Sequence, residues 1–168
     1  MDLSAAEREL GVPIAGILGM DVLGKNSFRL DYRNHLLEFG DVIPEGIPVV
    51  LSTSMDLPIV EVIVKGRVLH LLVDTGSERL VFFANKGVRE FSLDASNELV
   101  PGRSIAGTVP GRTVSSLVLE VDGKRFRQEA VLVPSGDASL FDGLLSVRSL
   151  GIRVLSLDAN RRVVYLLK

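Results

Sequence analysis

An aspartate followed at once by threonine, glycine and serine stands inside an otherwise apolar stretch of this chain. The stretch reads HLLVDTGSERLVFF, residues 70–83, and its acid is Asp74. Burying an ionised carboxylate among apolar residues is costly unless hydrogen bonds or charges compensate it. Thr75 and Ser77 offer hydroxyl groups, and Gly76 permits a sharp turn and a close approach of another backbone. These residue types in this order would hold one carboxylate rigidly at a strand end, where it could act as an acid or a base.

Simpler interpretations of the same residues have to be weighed. Asp74 could merely begin a turn after a buried strand, which is common, and a bare Asp-Thr-Gly is weak evidence. Here, however, it follows an apolar strand and precedes LVFF. Ser77 as a serine-protease nucleophile is disfavoured, because no histidine-based triad or nucleophile elbow accompanies it. His70 lies on the same strand face as Asp74; we interpret it as a partly buried histidine with a hydrogen-bond partner, since carboxylate chemistry needs no imidazole.

Composition excludes several classes of function. The chain has 168 residues, a formal net charge of -2 and a pI near 5.7, so there is no basic surplus for nucleic-acid binding. It has no cysteine and two histidines, which excludes disulfides and thiol catalysis and makes a zinc site improbable. We therefore predict no metal and no cofactor. No apolar run approaches a membrane span, and the start MDLSAAEREL is too polar for a signal peptide, so a soluble chain of unassigned compartment is expected.

Short β-rich runs separated by turn signals predict an all-β fold, a small closed barrel or a sandwich. Two runs flank Lys65-Gly66, and two more flank Asp122-Gly123, a pair typical of type I′ hairpin turns. Three glycines and two prolines within residues 100–114 predict a flexible hairpin tip. Helical signals are limited to residues 4–10 and to short turns over 20–23 and 147–150.

An internal repeat emerges when residues 15–39 are placed over residues 142–166. The alignment needs no gap: Asp31 falls on Asp158, an offset of 158 − 31 = 127, and Leu18 falls on Leu145 at the same offset. Chance similarity between two hairpins is the alternative. The repeat divides the chain into three parts: a C-terminal remnant of an upstream repeat (1–40), a linker (41–57) and a domain (58–168). The remnant is expected to cover the edge of a barrel, its own or a neighbour's.

The domain resembles the retropepsin-like (retroviral-type) aspartic proteases, in the form of bacterial aspartyl protease domains. The resemblance covers roughly residues 58–168 and depends on four stretches: LHLLVDTGS, SIAGTVPGRTV, FDGLLSVRSLG and VLSLDANRRVVYLL. It implies a retropepsin-like closed acid-protease barrel with a flap hairpin and one short helix near the C-terminus.

The resemblance also implies roles for individual residues. Two aspartates would share one proton and activate a water for peptide hydrolysis, and Asp74 would be one of them. Thr75 would link the two active-site loops, Gly76 would permit their close packing and Ser77 would orient Asp74. The implied flap residues, which would close over a peptide or protein substrate, are Ser104, Ile105, Ala106, Gly107 and Thr108. The implied second motif consists of Leu144, Leu145 and Ser146.

Two departures from the family pattern bear on activity. The chain has one Asp-Thr-Gly, so the second aspartate would come from a homodimer partner or from an upstream repeat of the same protein. The second motif ends in Ser146, whereas the first copy keeps Gly19 at the equivalent place. The alternative function is therefore a catalytically inactive retropepsin-like domain that binds peptides or assists assembly.

Overall fold

Short strands joined by tight turns make up most of the chain, in accordance with the predicted all-β class. The computed structural model describes residues 3–4, 7–8, 11–52, 57–84, 88, 93–104, 107–134 and 140–168. Its strands are β1 (Phe28–Asp31), β2 (Leu36–Phe39), β3 (Ile47–Val50), β4 (Ile59–Val64), β5 (Arg67–Asp74), β6 (Leu80–Phe83), β7 (Ala95–Ser104), β8 (Gly107–Val121), β9 (Lys124–Val133), β10 (Gly143–Ser146), β11 (Val154–Asp158) and β12 (Val163–Leu167).

Helix is sparse, as the sequence predicts. One helix, α1 (Met20–Leu23), is described from end to end, and residues 4, 7 and 8 also have helical backbone. The short helix predicted near the C-terminus is instead a series of turns after β10. In these turns the Leu150 N–H lies 3.4 Å from the Ser146 carbonyl oxygen. Gly151 then reverses the chain with a φ of 71°, so the turns cannot continue into a helix. Among the described residues, no helix is long and apolar enough to cross a membrane.

Seven strands form the larger sheet, in the order β4-β5-β10-β6-β9-β8-β7. β4 also pairs with β8, through Ile63 with Glu120 and Val64 with Leu119, so the hydrogen-bonded order returns to its first strand. The closed barrel itself stays a prediction, because this joining contact spans only two residue pairs. Alternating side chains of β4 and β5 face a core in which Val64 and Leu71 are fully buried.

Both predicted hairpin turns form where glycine follows a polar residue. Lys65 and Gly66 have φ of 49° and 78°, and Asp122 and Gly123 have φ of 46° and 70°. Positive φ at both central residues is what a type I′ turn requires. The first turn sets the register of β4 on β5, and the second sets that of β8 on β9.

The smaller sheet has the order β2-β1-β11-β12-β3 and joins both ends of the chain. β1 pairs antiparallel with β11, and β3, which lies inside the range predicted as linker, pairs with the outer edge of β12. Hairpins β1–β2 and β11–β12 turn in the same way, with φ of 52° at His35 and 54° at Arg162. Residues 28–39 therefore extend the C-terminal hairpin by two strands.

Candidate active site

Asp74 is the last residue of β5, and its neighbour across the sheet is the second motif. β5 and β10 run parallel, with Leu144 opposite Leu72 and Ser146 opposite Asp74. Gly143 begins β10, and a Cβ added there would collide with the carbonyl oxygen of Val81 on β6. The structure thus brings the two predicted motifs together, and the glycine permits β10 to fit between β5 and β6.

The Asp74 carboxylate is oriented by the backbone that follows it. Its Oδ1 accepts the Gly76 N–H at 2.8 Å and the Ser77 N–H at 3.2 Å. The residue itself is partly exposed at the surface. Two backbone donors hold this carboxylate in one direction.

Ser77 contacts Asp74 differently from the way the sequence led us to expect. Its hydroxyl donates to the Arg79 carbonyl at 2.7 Å rather than to the carboxylate. The hydroxyl thereby tightens the turn that leads into β6, while the Ser77 N–H orients Asp74. The predicted role of Ser77, orienting Asp74, stays a prediction. The group of Ser77 that contacts Asp74 is its backbone N–H.

Ser146 fits where the family pattern has glycine. It is fully buried, and its hydroxyl donates to the Ser77 carbonyl and accepts the Ser149 N–H at 3.0 Å. It is not among the described non-glycine residues with positive φ, so its backbone does not require glycine. Serine here joins the Asp-Thr-Gly loop to the turn after β10 instead of straining it.

Thr75 and Gly76 face outward from the lobe. Both are exposed, and a Cβ on Gly76 would meet only Asp74 Oδ1 at 3.4 Å, an ordinary contact. The described residues of this lobe therefore make no steric demand for glycine at position 76. The packing and linking roles predicted for these two residues would have to involve a second loop.

Tyr32 is a site neighbour that the motifs did not reveal. Its hydroxyl is buried and has no hydrogen-bond partner among the described residues. Burial, and secondarily the negative charge of Asp74, raises the pKa of Tyr32 to about 12. The sequence signal that could have drawn attention to Tyr32 was the repeat alignment, which places this aromatic residue at the position equivalent to the small Ala159.

His70 connects β5 to the segment that leads into β10. Its backbone N–H donates to Asp142 Oδ2 at 2.9 Å, and its half-exposed imidazole lies 3.5 Å from Glu61 Oε1. The imidazole Nδ1 is 3.9 Å from the same Asp142 oxygen. These contacts agree with a structural strand histidine rather than a catalytic one.

β7 and β8 form the long hairpin that carries the predicted flap. Their antiparallel pairing reaches Ser104 opposite Gly107, while Ile105 and Ala106 lie outside the described residues. The hairpin is present in the backbone, and closure over a substrate stays a prediction. No group of three or more acidic or histidine side chains among the described residues could hold a metal ion.

An all-β lobe that presents Asp-Thr-Gly-Ser at a strand end, beside an apolar-apolar-small strand, has the arrangement of an aspartic protease domain. A family model described as "Aspartyl protease" matches residues 60–149, more than half of the chain's 168 residues. The chain belongs to this retropepsin-like aspartyl protease family, as its motifs predicted. No match to the chain was found among curated proteins.

Proposed function

We propose that this protein is an aspartic-type endopeptidase in which Asp74 supplies one of two paired catalytic carboxylates. The observation that carries the proposal is the Asp74 side chain, which is held by two backbone N–H groups and is partly exposed at the end of β5. Family membership supports protease function in general. Pairing of the carboxylates is the finer step that an experiment must test.

The chemistry follows from placing two carboxylates a few ångströms apart. Both cannot ionise there, so they share one proton. The ionised carboxylate takes a proton from a bound water, and the oxygen of that water attacks the peptide carbonyl carbon. The protonated carboxylate donates its proton to the carbonyl oxygen. As the C–N bond breaks, a proton passes to the leaving nitrogen, which yields a carboxylic acid and an amine.

The second carboxylate has two possible sources, a homodimer partner or an upstream repeat of the same protein. In either arrangement Thr75 would hydrogen-bond across the two loops and Gly76 would let them pack closely. Their exposure in this lobe is compatible with both roles.

The substrate is a peptide or protein bound in extended conformation, by addition of a strand to the lobe. Residues 104–108, at the tip of the β7–β8 hairpin, would close over it and exclude water.

The test is cleavage of a mixed-peptide library between about pH 4 and pH 7, where one carboxylate of such a pair is protonated. The protein and its Asp74→Asn variant are compared at two concentrations. Cleavage that disappears in the variant supports the proposal, and a more than linear rise with concentration assigns the second aspartate to a dimer partner. Cleavage that survives Asp74→Asn contradicts it.

A non-catalytic peptide-binding domain is the second candidate, favoured by the single Asp-Thr-Gly of the sequence. Such a domain would bind library peptides without cleaving them, and Asp74→Asn would leave binding unchanged. Mass spectrometry of the bound and free peptides separates the two functions.

A further inference from the structure

Ser146 carries a fully buried hydroxyl group with two hydrogen-bond partners of opposite kind. Its Oγ contacts the Ser77 carbonyl oxygen and lies 3.0 Å from the Ser149 backbone nitrogen. A backbone N–H can only donate and a carbonyl oxygen can only accept, so the direction of both bonds is fixed. The Ser146 hydroxyl therefore donates to Ser77 and accepts from Ser149.

Ser77 is held on both sides of its α-carbon. Its carbonyl accepts the Ser146 hydroxyl, and its N–H donates to Asp74 Oδ1 at 3.2 Å. Its own hydroxyl donates to the Arg79 carbonyl at 2.7 Å. These three bonds give the residue one backbone orientation, so a change at Ser146 would reach the N–H group that orients the Asp74 carboxylate.

The fold places the two ends of this path side by side. β5 and β10 run parallel, with Ser146 opposite Asp74. The turn that follows Asp74 brings Ser77 back toward β10, where the Ser146 side chain meets it. A glycine at position 146 has no side chain, so it could not join the Asp-Thr-Gly loop to the turn after β10 in this way.

A second link joins the same two segments at the surface. Arg148 Nη1 lies 3.0 Å from Glu78 Oε1, and the two side chains are 74% and 75% exposed. Solvent screens such an exposed pair, so it contributes little to holding the loop. A buried hydrogen bond is electrostatically stronger because little water competes with it. Of these two links, the Ser146 hydroxyl is therefore the one that can fix the loop.

We propose that Ser146 is a positioning residue for Asp74: it fixes Ser77, and Ser77 in turn fixes the direction of the carboxylate. This inference rests on the proposed function, because positioning affects a rate only if Asp74 acts in peptide hydrolysis. It also gives a new meaning to the departure from the family's glycine. The serine contributes to activity instead of marking its loss.

The first test compares the kinetics of variants on one peptide that the library shows to be cleaved. Ser146→Ala removes the link, so the carboxylate is less well directed at the water that it activates. We expect kcat to fall about 10- to 100-fold. KM should stay nearly unchanged, because buried Ser146 does not contact a peptide. Arg148→Gln, which breaks only the exposed link, should keep kcat within about twofold of the parent value.

The second test reads positioning without cleavage, by hydrogen exchange of the Ser77 amide. Exchange should accelerate by about tenfold or more in Ser146→Ala, because the loop opens more often. The amide of fully buried Leu71 serves as the reference for global unfolding. Ser149→Ala is the matched control, since it removes a different bond of the same turn, from Ser149 Oγ to the Ser146 carbonyl, and keeps the Ser149 N–H.

The two tests separate this inference from the proposed function. Accelerated exchange at Ser77 without any cleavage by the parent chain would support positioning and count against the endopeptidase. Exchange at Ser77 that is unchanged relative to Leu71 would overturn positioning, whether or not the chain cleaves peptides. Equal losses of kcat in Ser146→Ala and Ser149→Ala would also overturn it, because a general loss of stability would then explain both.

Ser146→Cys carries both tests if the alanine variant does not fold. A thiol is close to the hydroxyl in size but is a weaker donor. The same effects on kcat and on Ser77 exchange should appear at reduced size. Parent values of both quantities in Ser146→Cys would overturn the proposal.

Discussion

At the scale of single residues, Ser146 stabilises the site that the family pattern assigns to glycine. Its hydroxyl links two backbone groups, the Ser77 carbonyl and the Ser149 N–H. We expect Ser146→Ala to lower the free energy of unfolding by about 1–3 kcal/mol, because buried groups would lose their partner. Urea denaturation measures this, with Ser96→Ala as a control at a solvent-accessible hydrogen bond. Equal losses in the two variants would contradict the assignment.

The phenol of Tyr32 reports on the charge of Asp74. The chain has two tyrosines and no tryptophan, so absorbance at high pH follows tyrosine ionisation alone. Burial first, and the Asp74 charge second, raises the pKa of Tyr32 from 10.0 to about 12. We expect a transition near that pH that Tyr32→Phe removes and that Asp74→Asn moves to lower pH, since the opposing negative charge is gone. A transition whose pH is unchanged in Asp74→Asn would show that the charge of Asp74 does not act on Tyr32.

At the scale of elements, the glycines at equivalent positions of the two copies offer a matched comparison. A methyl group at Gly143 collides with the backbone of β6, whereas one at Gly16 meets open space. We expect Gly143→Ala to lower the free energy of unfolding by about 1–3 kcal/mol or more, through overpacking. Gly16→Ala should leave it unchanged or slightly raised, because alanine restricts the unfolded chain. Thermal denaturation of both variants checks this, and comparable losses would show that residue 16 is also enclosed.

The turn between β1 and β2 should be sensitive to acid. The Asn34 N–H, the Asn34 side chain, Arg29 and the Arg33 N–H lower the pKa of Asp31 below its usual 3.8, and burial opposes them. A lowered folded-state pKa stabilises the fold above the usual value, and this contribution is lost as pH falls through the folded pKa. Asp31→Asn should therefore lower the melting temperature most near neutral pH and progressively less below about pH 4. A difference that does not change with pH would contradict this origin.

The sequence predicts those elements that have a local cause. Glycines at 66 and 123 define hairpins through their turns alone, and the Asp-Thr-Gly strand is evident from its apolar neighbours. β3 lies within the range assigned to a linker, although its β-branched run IPVVLST favours a strand; its partner β12 is more than 100 residues away, so no local pattern predicts the pairing. The approach of Tyr32 to Asp74 depends on β1 pairing with β11, so no local pattern contains it.

At the scale of the whole molecule, the two ends of the smaller sheet should respond differently to truncation. Leu166→Ala removes a fully enclosed side chain and should lower the free energy of unfolding by about 2–5 kcal/mol. Phe39→Ala, at the equivalent position, should change it by only about 0.5 kcal/mol, because that ring is half exposed. Denaturant titration compares them. A large loss at Phe39 would mean that this edge is already covered in solution.

The pairing of β1 with β11 also dictates when the molecule can be completed during synthesis. Phe28 meets Leu157 only after nearly the entire chain has been made, so the central ladder of the smaller sheet is a contact of very long sequence separation. Closing such a contact is slow, because the intervening chain must first lose much of its freedom. Until then β1 and β2 remain a two-stranded ribbon, which is at best marginally stable in water. Phe28, which is buried in the finished sheet, is therefore exposed to solvent and open to aggregation until β11 arrives.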